Sequence, residues 1–343
     1  MLTRFARIPA LRGAVRAMFR PPPPPPAHAS RHYAFHYDHI LGTSLELQVV
    51  ASDADAAGRA EAAVLTEVDR LAEILSGYTT TSEFARWEAR RRELAPVSPE
   101  LADVLFAAEG WRMATEGAFN PAAASLAKLV GDGPHGQGDL ASRRRSLPRA
   151  VPENLHAMRQ PLWTVNRVRG VARRLTDLPA SLDAIAKGYI VDGALSRARE
   201  VEGVTQVLLN IGGDLRHHGA RPVTVGIADP EAPAENAPPI ATVRLAGEAL
   251  ATSGGYRRGF VMDGQSVSHI IDPRTGRSAN QVISASVIAS DCMTADVLST
   301  AFSVMTPVES VAFADYLPNV GCMMVERGGR ITSNSVWQSH RAA

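Results

Sequence analysis

The pattern of apolar and polar positions predicts both strands and helices in the first half of the chain. Residues 44–50 (SLELQVV) alternate with a period of two, which predicts a half-buried strand. Apolar residues spaced by four, three and four from Val64 to Leu75 predict an amphipathic helix. Ser98 as N-cap and Pro99 in the first turn predict the start of a second helix.

The second half of the chain predicts several short strands between helices. A helix is expected from about Asp183 to Glu202, and a pair of helices near the C-terminus. The runs with strand character are QVLLNI, VTVGIA, ATVRLAG, GFVMDG, VSHII, VISASVIA and VGCMMVE. Strands joined by short turns favour mainly antiparallel sheets flanked by helices, so the predicted fold class is α+β.

Composition and charge exclude several classes of protein. The 343 residues carry a formal net charge of +1, but residues 1–32 hold six Arg and no acid. The remainder therefore holds 30 basic residues against 35 acidic ones, a charge of −5, which argues against non-specific nucleic-acid binding. No apolar run reaches the ~18–20 residues of a membrane span. Two cysteines exclude a disulfide framework and a Cys-rich zinc site.

The N-terminal segment is rich in Arg and Pro. The six prolines Pro21–Pro26 predict a stiff polyproline II rod of roughly 19 Å, which does not pack into a core. Arginines interrupt the apolar region that a signal peptide needs, and the segment has no Cys for a lipid anchor. We therefore expect residues 1–32 to be a disordered tail or degenerate leader and residues 33–343 to form one domain. The compartment stays open, the cytoplasm included.

Asp296 and Thr300 are one helical turn apart and are candidate ligands of a metal ion. A carboxylate and a hydroxyl on one face supply the hard oxygen ligands that suit Mg²⁺. Thr294 is a candidate N-cap for their helix. The alternative is an ordinary Asp favoured by the helix dipole, with Thr300 bonded back to the preceding turn.

Asp183, Ala184 and Lys187 are predicted to lie in the first turn of a helix. Free backbone amides and a cation at that place favour a phosphate group. A capped amphipathic helix with an exposed Lys is the alternative. Two glycine pairs, Gly212-Gly213 and Gly254-Gly255, would either bring backbone amides to an anion or form simple tight turns.

Three shorter segments carry further candidates. In SHIIDPRTG, His269 and Asp272 adjoin a turn that Pro initiates, and His can act as a general base or bind phosphate. A His at the end of a strand without any such role is the alternative. Tyr78 follows a helix end, where its ring could stack on a flat ligand, and Phe119 and Asn120 follow another helix end.

Taken together and in order, these segments resemble the family of FAD:protein FMN transferases, formerly called thiamine-biosynthesis lipoproteins. The matching motifs span residues 38–305 and are LGTSLELQV, LSGYTTTSE, GAFNP, AIAKGY..D, LLNIGGDLR, ATSGGY, SHIIDPRTG and TADVLSTAF. The resemblance implies the flavin-transferase (T-fold-like) architecture. It also implies a Mg²⁺-dependent enzyme that cleaves FAD, transfers FMN through a phosphoester to a Thr or Ser of an acceptor flavoprotein, and releases AMP. Acceptors in this family are typically subunits of membrane-associated or periplasmic redox complexes.

The resemblance also implies roles for individual residues. Asp296 and Thr300 would hold the metal with the carbonyls of Ala184 and Ser299. His269 would assist the transfer, and Asp272 would orient neighbouring groups. The implied flavin contacts are Leu41, Tyr78, Ala118, Phe119, Asn120, Lys187 and Ile270. Family members commonly have Asp where this chain has Asn120 and Ser181. Asp183 is a further predicted cofactor-binding residue, which would restore one of these charges two residues after Ser181.

Two other functions are compatible with the same motifs. Water in place of the acceptor hydroxyl would give an FAD pyrophosphatase that releases FMN and AMP. The two neutral replacements at Asn120 and Ser181 would also suit a flavin-binding protein without turnover.

Overall fold

An eight-stranded antiparallel sheet organises the protein in the computed structural model, which describes residues 30–123, 125, 152–232, 237–254, 260–262, 265–267, 271–277 and 279–342. The strands lie in the order β1-β2-β6-β7-β10-β13-β14-β15, and every neighbouring pair is antiparallel. Two-stranded sheets pair β11 with β12 and β8 with β9, and a three-stranded sheet has the order β3-β5-β4. The α+β class predicted from the sequence is therefore confirmed.

The bounds of the strands and helices follow chain order. The strands are β1 Arg31–Ile40, β2 Thr43–Ala51, β3 Ala95–Pro96, β4 Trp163–Asn166, β5 Val171–Arg174, β6 Val204–Ile211, β7 Asp214–Gly219, β8 Val223–Ile227, β9 Ala241–Leu245, β10 Ala249–Gly254, β11 Phe260–Met262, β12 Gln265–Val267, β13 Val282–Ala289, β14 Gly321–Glu326 and β15 Ile331–Ser333. The helices are α1 Ala54–Leu75, α2 Glu83–Ala89, α3 Pro99–Ala114, α4 Asp183–Arg199, α5 Cys292–Phe302, α6 Pro307–Tyr316 and α7 Ser335–His340. A further helix covers residues 152–159.

Helices α1, α4 and α5 cover one face of the large sheet and form the main core with it. In β2, Leu45, Leu47 and Val49 are buried on this face while Glu46 and Gln48 are exposed, as their alternation predicts. The opposite face has a smaller apolar core under β8, β9 and α7. Strand β7 therefore has two buried faces, and its polar side chains need partners inside the protein.

One end of the large sheet gathers several turns, and we call it the site edge. It comprises the Leu41-Gly42 turn, the Gly212-Gly213 turn and the end of β10 at Gly254. Hydrogen bonds join the Gly212-Gly213 turn to strands β2 and β10 there, from Gly212 N to Ser44 O (3.1 Å) and from Thr252 N to Gly213 O (3.3 Å). Gly212 has φ +64°, and a Cβ on it would lie 2.6 Å from the Thr43 methyl carbon, so only glycine fits this position.

Several predicted elements differ from the structure in detail. Thr294 is not the N-cap of its helix, because Asp291 is, and the Asp291 carboxylate accepts the Thr294 amide at 2.8 Å. Gly254 of the second glycine pair is the last residue of strand β10, and Gly255 lies outside the described residues, so the second glycine turn stays a prediction. Strand β1 begins at Arg31, within the segment predicted as a tail, and residues 1–29 lie outside the described part. Within the described residues, no helix is both long and apolar enough to cross a bilayer.

Candidate active site

Two carboxylates and a lysine meet beneath the site edge, and we call Lys187, Asp214 and Asp296 the acid–lysine cluster. Lys187 Nζ forms an ion pair with Asp214, the first residue of β7 after the glycine turn. Asp296 comes from α5, and its Oδ2 accepts a hydrogen bond from Gly188 N of α4 at 3.2 Å. Asp214 and Asp296 are each 2% exposed, whereas Lys187 is only partly buried, so two elements place carboxylates out of water beside the lysine of a third.

The electrostatics of the acid–lysine cluster leave an excess of negative charge. Burial and, to a lesser extent, the neighbouring Asp214 raise the pKa of Asp296 to about 7, although Lys187 and the Gly188 amide act in the opposite direction. Burial opposes the charge of Lys187, but Asp296 and Asp214 outweigh it and raise the pKa of the ammonium group. Two carboxylates thus share one lysine, an arrangement that a further cation would relieve.

Hydroxyl groups from α5 and β10 adjoin the acid–lysine cluster. Ser253 Oγ lies 2.8 Å from Ser299 Oγ and 3.3 Å from Thr300 Oγ1. The carbonyl of Ser299 already accepts hydrogen bonds from the amide and the hydroxyl of Ser303, at 3.1 and 3.0 Å. Both lone pairs of the Ser299 carbonyl are therefore engaged, which argues against its binding a metal ion. The metal-binding role of this carbonyl stays a prediction.

The first turn of α4 is irregular. Leu182 occupies the N-cap position without a side-chain hydrogen bond, and Ala184 has non-helical angles (φ −92°, ψ 16°). The Asp183 amide donates to Ser181 Oγ at 3.1 Å, and the Asp183 carboxylate accepts from the Tyr78 hydroxyl at 2.7 Å. Tyr78 is 80% exposed and is therefore not a core aromatic. The structure thus brings Tyr78 and Asp183 together at the start of α4.

The segment Ala118–Asn120 lies beside the start of α4, because Ser181 N donates to the carbonyl of Pro121 at 2.8 Å. Ala118 and Phe119 are buried in the main core. Asn120 Oδ1 accepts from Ala122 N (3.0 Å), and its Nδ2 donates to Met158 O (3.2 Å). An amide can supply both an acceptor and a donor here, which an ionised aspartate cannot.

Asp272 organises the predicted turn at residues 272–276. Its carbonyl accepts from Thr275 N and Gly276 N, and its carboxylate accepts from the amide and guanidinium of Arg274. Arg159 Nη2 donates to the Arg274 carbonyl at 3.5 Å, which places the turn next to the helix at residues 152–159. The predicted His269 and Ile270 lie outside the described residues.

Leu41 lies in the two-residue turn between β1 and β2, at φ +50°, with Gly42 at φ +76°. This backbone region is uncommon for a branched side chain. The turn is part of the site edge, two strands away from β7 with its Asp214. The structure thus places the predicted flavin contacts Leu41, Tyr78, Asn120 and Lys187 at or next to one end of the sheet.

Sequence reasoning gave no role to four polar or glycine residues that build the site. Asp214 follows the glycine turn, and Gly188 and Asp192 lie within the motif around Lys187. Their places in these two motifs were the only features of the sequence that could have indicated a role for them. Glu88 Oε1 accepts the Ala180 amide at 2.7 Å, which holds the chain leading into α4. Their partners come from distant parts of the chain, so spacing alone does not reveal them.

In the ranges that the structure describes, no group of three or more His, Cys, Asp and Glu side chains could hold a metal ion. Sites of that kind are typical of zinc and iron. Magnesium differs, because it often takes only one or two carboxylates and keeps water and phosphate oxygens as its other ligands.

Solved structures share this arrangement of sheet and helices. The ApbE protein from Thermotoga maritima has a TM-score of 0.78 and 28% sequence identity, covering 91% of this chain and 100% of that protein. A flavin transferase ApbE from Vibrio cholerae has a TM-score of 0.72 and 22% identity, covering 91% of this chain and 99% of that one. The fold is therefore that of the flavin-transferase class.

Sequence comparison gives the family. A FAD:protein FMN transferase from Salmonella typhimurium is 32% identical over 279 residues, 77% of this chain and 76% of the relative. The model of the ApbE family matches residues 41–324, from the Leu41 turn into β14. The chain belongs to the ApbE family, as its ordered motifs indicate.

Proposed function

We propose that this protein transfers the FMN part of FAD to a Thr or Ser hydroxyl of an acceptor flavoprotein. The bond between the two phosphates of FAD breaks, a phosphoester to the acceptor oxygen forms, and AMP leaves with the other phosphate. The observation that carries this proposal is the acid–lysine cluster, placed beside the hydroxyls of Ser253 and Thr300 at one end of the sheet in a chain of the ApbE family.

Magnesium fits the donors beside Asp296. The excess carboxylate of the acid–lysine cluster and the Thr300 hydroxyl are hard oxygen ligands, and α5 presents them one turn apart. In a regular helix the Gly188 amide would bond to the Ala184 carbonyl, but Ala184 is non-helical and the Gly188 amide donates to Asp296. This favours an Ala184 carbonyl that is free to complete the set of metal ligands. Bound there, the ion would neutralise charge that develops on the phosphates.

The residues around this site position FAD and stabilise charge. Phosphoryl transfer depends more on positioning and electrostatics than on covalent chemistry by the protein. Lys187 supplies a cation that Asp214 holds in place, close to the irregular start of α4. The Asp183 carboxylate fixes the Tyr78 hydroxyl and with it the ring that stacks on the flavin.

Replacing Tyr78 by Ala is expected to raise the FAD dissociation constant about 10–100-fold, because stacking on an aromatic ring contributes about 1–3 kcal/mol. The exposed ring contributes little to the core, so the melting temperature is expected to stay nearly unchanged. Quenching of flavin fluorescence measures the binding. Tyr78→Phe keeps the ring and is the control; equal losses in both variants would contradict stacking.

Replacing His269 by Ala is expected to lower FMN transfer about 10²–10⁴-fold while FAD binding stays within about threefold, because a general base acts on the acceptor hydroxyl and not on binding. Mass spectrometry of the acceptor measures transfer, and flavin fluorescence measures binding. His36→Ala on the exposed face of β1 is the control. A loss of FAD binding in the His269 variant would make it a binding residue.

The test of the function itself is incubation of the full chain with FAD, Mg²⁺ and candidate acceptors. The expected result is an acceptor that gains the mass of FMN, one AMP per flavin transferred, and no reaction in the presence of a chelator. Free FMN and AMP without labelled acceptor would favour FAD hydrolysis. Tight FAD binding without AMP would favour a flavin-binding protein. We propose subunits of redox complexes as the acceptors to be tried.

A further inference from the structure

Asp192 joins three elements near the acid–lysine cluster. Its Oδ1 accepts from Cys292 N at 2.9 Å, and its Oδ2 accepts from Met293 N at 3.0 Å, which are the first two amides of α5. It also forms an ion pair with Arg216 of β7. One carboxylate of α4 therefore holds the start of α5 and is itself held by the sheet.

A second carboxylate, which adjoins α5 in the sequence, also binds an amide at the start of α5. Asp291 is the local N-cap, and its Oδ1 accepts from Thr294 N at 2.8 Å. An N-cap of this kind stabilises the helix wherever the helix lies. Asp192 instead comes from another helix, so its hydrogen bonds fix where α5 lies relative to α4.

The position of α5 decides the geometry of the predicted metal ligands. Gly188 and Asp192 are four residues apart on α4, and Cys292 and Asp296 are four apart on α5. The pairs therefore face each other one turn apart, with Asp192 bound to the first turn of α5 and the Gly188 amide bound to Asp296. A shift of the first turn would move Asp296 and Thr300 together.

Strand β7 holds α4 in place through two ion pairs. Asp214 and Arg216 are two residues apart on the same face of the strand, and they pair with Lys187 and Asp192. The two ion pairs have opposite polarity, so α4 cannot slide along the strand without bringing like charges together. The sheet, α4 and α5 thus form a continuous set of charged contacts.

We propose that Asp192 is a positioning residue that places Asp296 and Thr300 for a divalent cation, through the amides of Cys292 and Met293. This inference rests on the proposed metal role of Asp296. It does not require Asp192 to touch the cation or FAD. Residues that orient metal ligands typically change metal affinity by about 10–100-fold when they are replaced.

The test compares Asp192→Asn with Asp291→Ala in the full chain. Binding of Mn²⁺ alone, used as a probe for a hard divalent cation, is followed by the electron paramagnetic resonance signal of the free ion. We expect the Asp192 variant to bind Mn²⁺ about 10–100-fold more weakly. The Asp291 variant is expected to lose thermal stability but to keep its Mn²⁺ affinity within about twofold, because its lost contact lies within α5.

A second pair of variants keeps the test informative if Asp192→Asn does not fold. Arg216→Gln removes the charge partner of Asp192 and is expected to weaken Mn²⁺ binding, whereas Arg216→Lys keeps the charge and should restore most of the affinity. Equal losses in the Asp192 and Asp291 variants, or unchanged affinity in both Asp192→Asn and Arg216→Gln, would overturn the positioning role alone. A wild-type protein that binds no Mn²⁺ would overturn the metal role as well.

Discussion

Replacement of Asp296 by Ala is expected to lower FMN transfer about a thousandfold or more, even at saturating Mg²⁺. A metal ion that neutralises phosphate charge contributes several kcal/mol in the transition state, and about 4 kcal/mol corresponds to a thousandfold. Among the predicted ligands, Asp296 alone is a carboxylate, and the neighbouring Asp214 is already paired with Lys187. The mass gained by the acceptor measures the effect, and full activity of the variant would refute the metal assignment.

The same site allows activity to be separated from stability. Burial and the nearby Asp214 disfavour the charge of Asp296, so the neutral Asp296→Asn is expected to melt at or above the wild-type temperature. Glu67→Gln is the matched control, because Glu67 is also a buried acid but binds Arg70 away from the site. It should lose about 1 kcal/mol of stability and keep its transfer rate. A variant of Asp296 that merely unfolds would not follow this pattern.

Replacement of Gly188 by Ala is expected to destabilise the protein by about 3 kcal/mol and to abolish most of its activity. A Cβ at this position would lie 2.6 Å from Met293 Cα and closer still to the carbonyl oxygen of Cys292. These are backbone atoms that cannot rotate away, so α4 and α5 must separate. The separation would also break the hydrogen bond from Gly188 N to Asp296.

Gly110→Ala is the matched control for this substitution. Gly110 is an exposed helical glycine in α3, and a Cβ there would meet nothing within 4 Å. Helix propensity alone should then stabilise the protein by about 0.5–1 kcal/mol. Thermal unfolding distinguishes the two variants by the sign of the change. A Gly188 variant as stable as the Gly110 variant would show that the two helices do not depend on this close approach.

Local patterns were sufficient for much of the fold. The alternation in residues 44–50 predicts β2, and the apolar spacing from Val64 to Leu75 predicts α1, because each pattern reports one buried face. Strand β7 (DLRHHG) was not predicted. Its two faces point into two different cores, so it lacks the alternation of a half-buried strand, and its charges are hidden by partners from α4.

In the candidate site too, local motifs were predictable from the sequence and contacts between distant residues were not. The motifs around Tyr78, Lys187 and Asp296 mark the chemistry because the types of residue and their order are specific to the family. The acid–lysine cluster itself was not visible, since Asp214 lies 27 residues beyond Lys187, and Asp296 a further 82. Only pairing across the sheet and the contact of α4 with α5 bring these residues within bonding distance.

By itself the sequence determined the α+β class, the family and the residue types that are predicted to bind a phosphate and a hard cation, because these depend on local periodicity and motif order. The tertiary structure decided which charges pair, how far the carboxylate of Asp296 leaves water, and what holds α5 in place. Those properties arise from contacts between residues distant in the chain, where burial strengthens each charge and leaves each donor only a few partners.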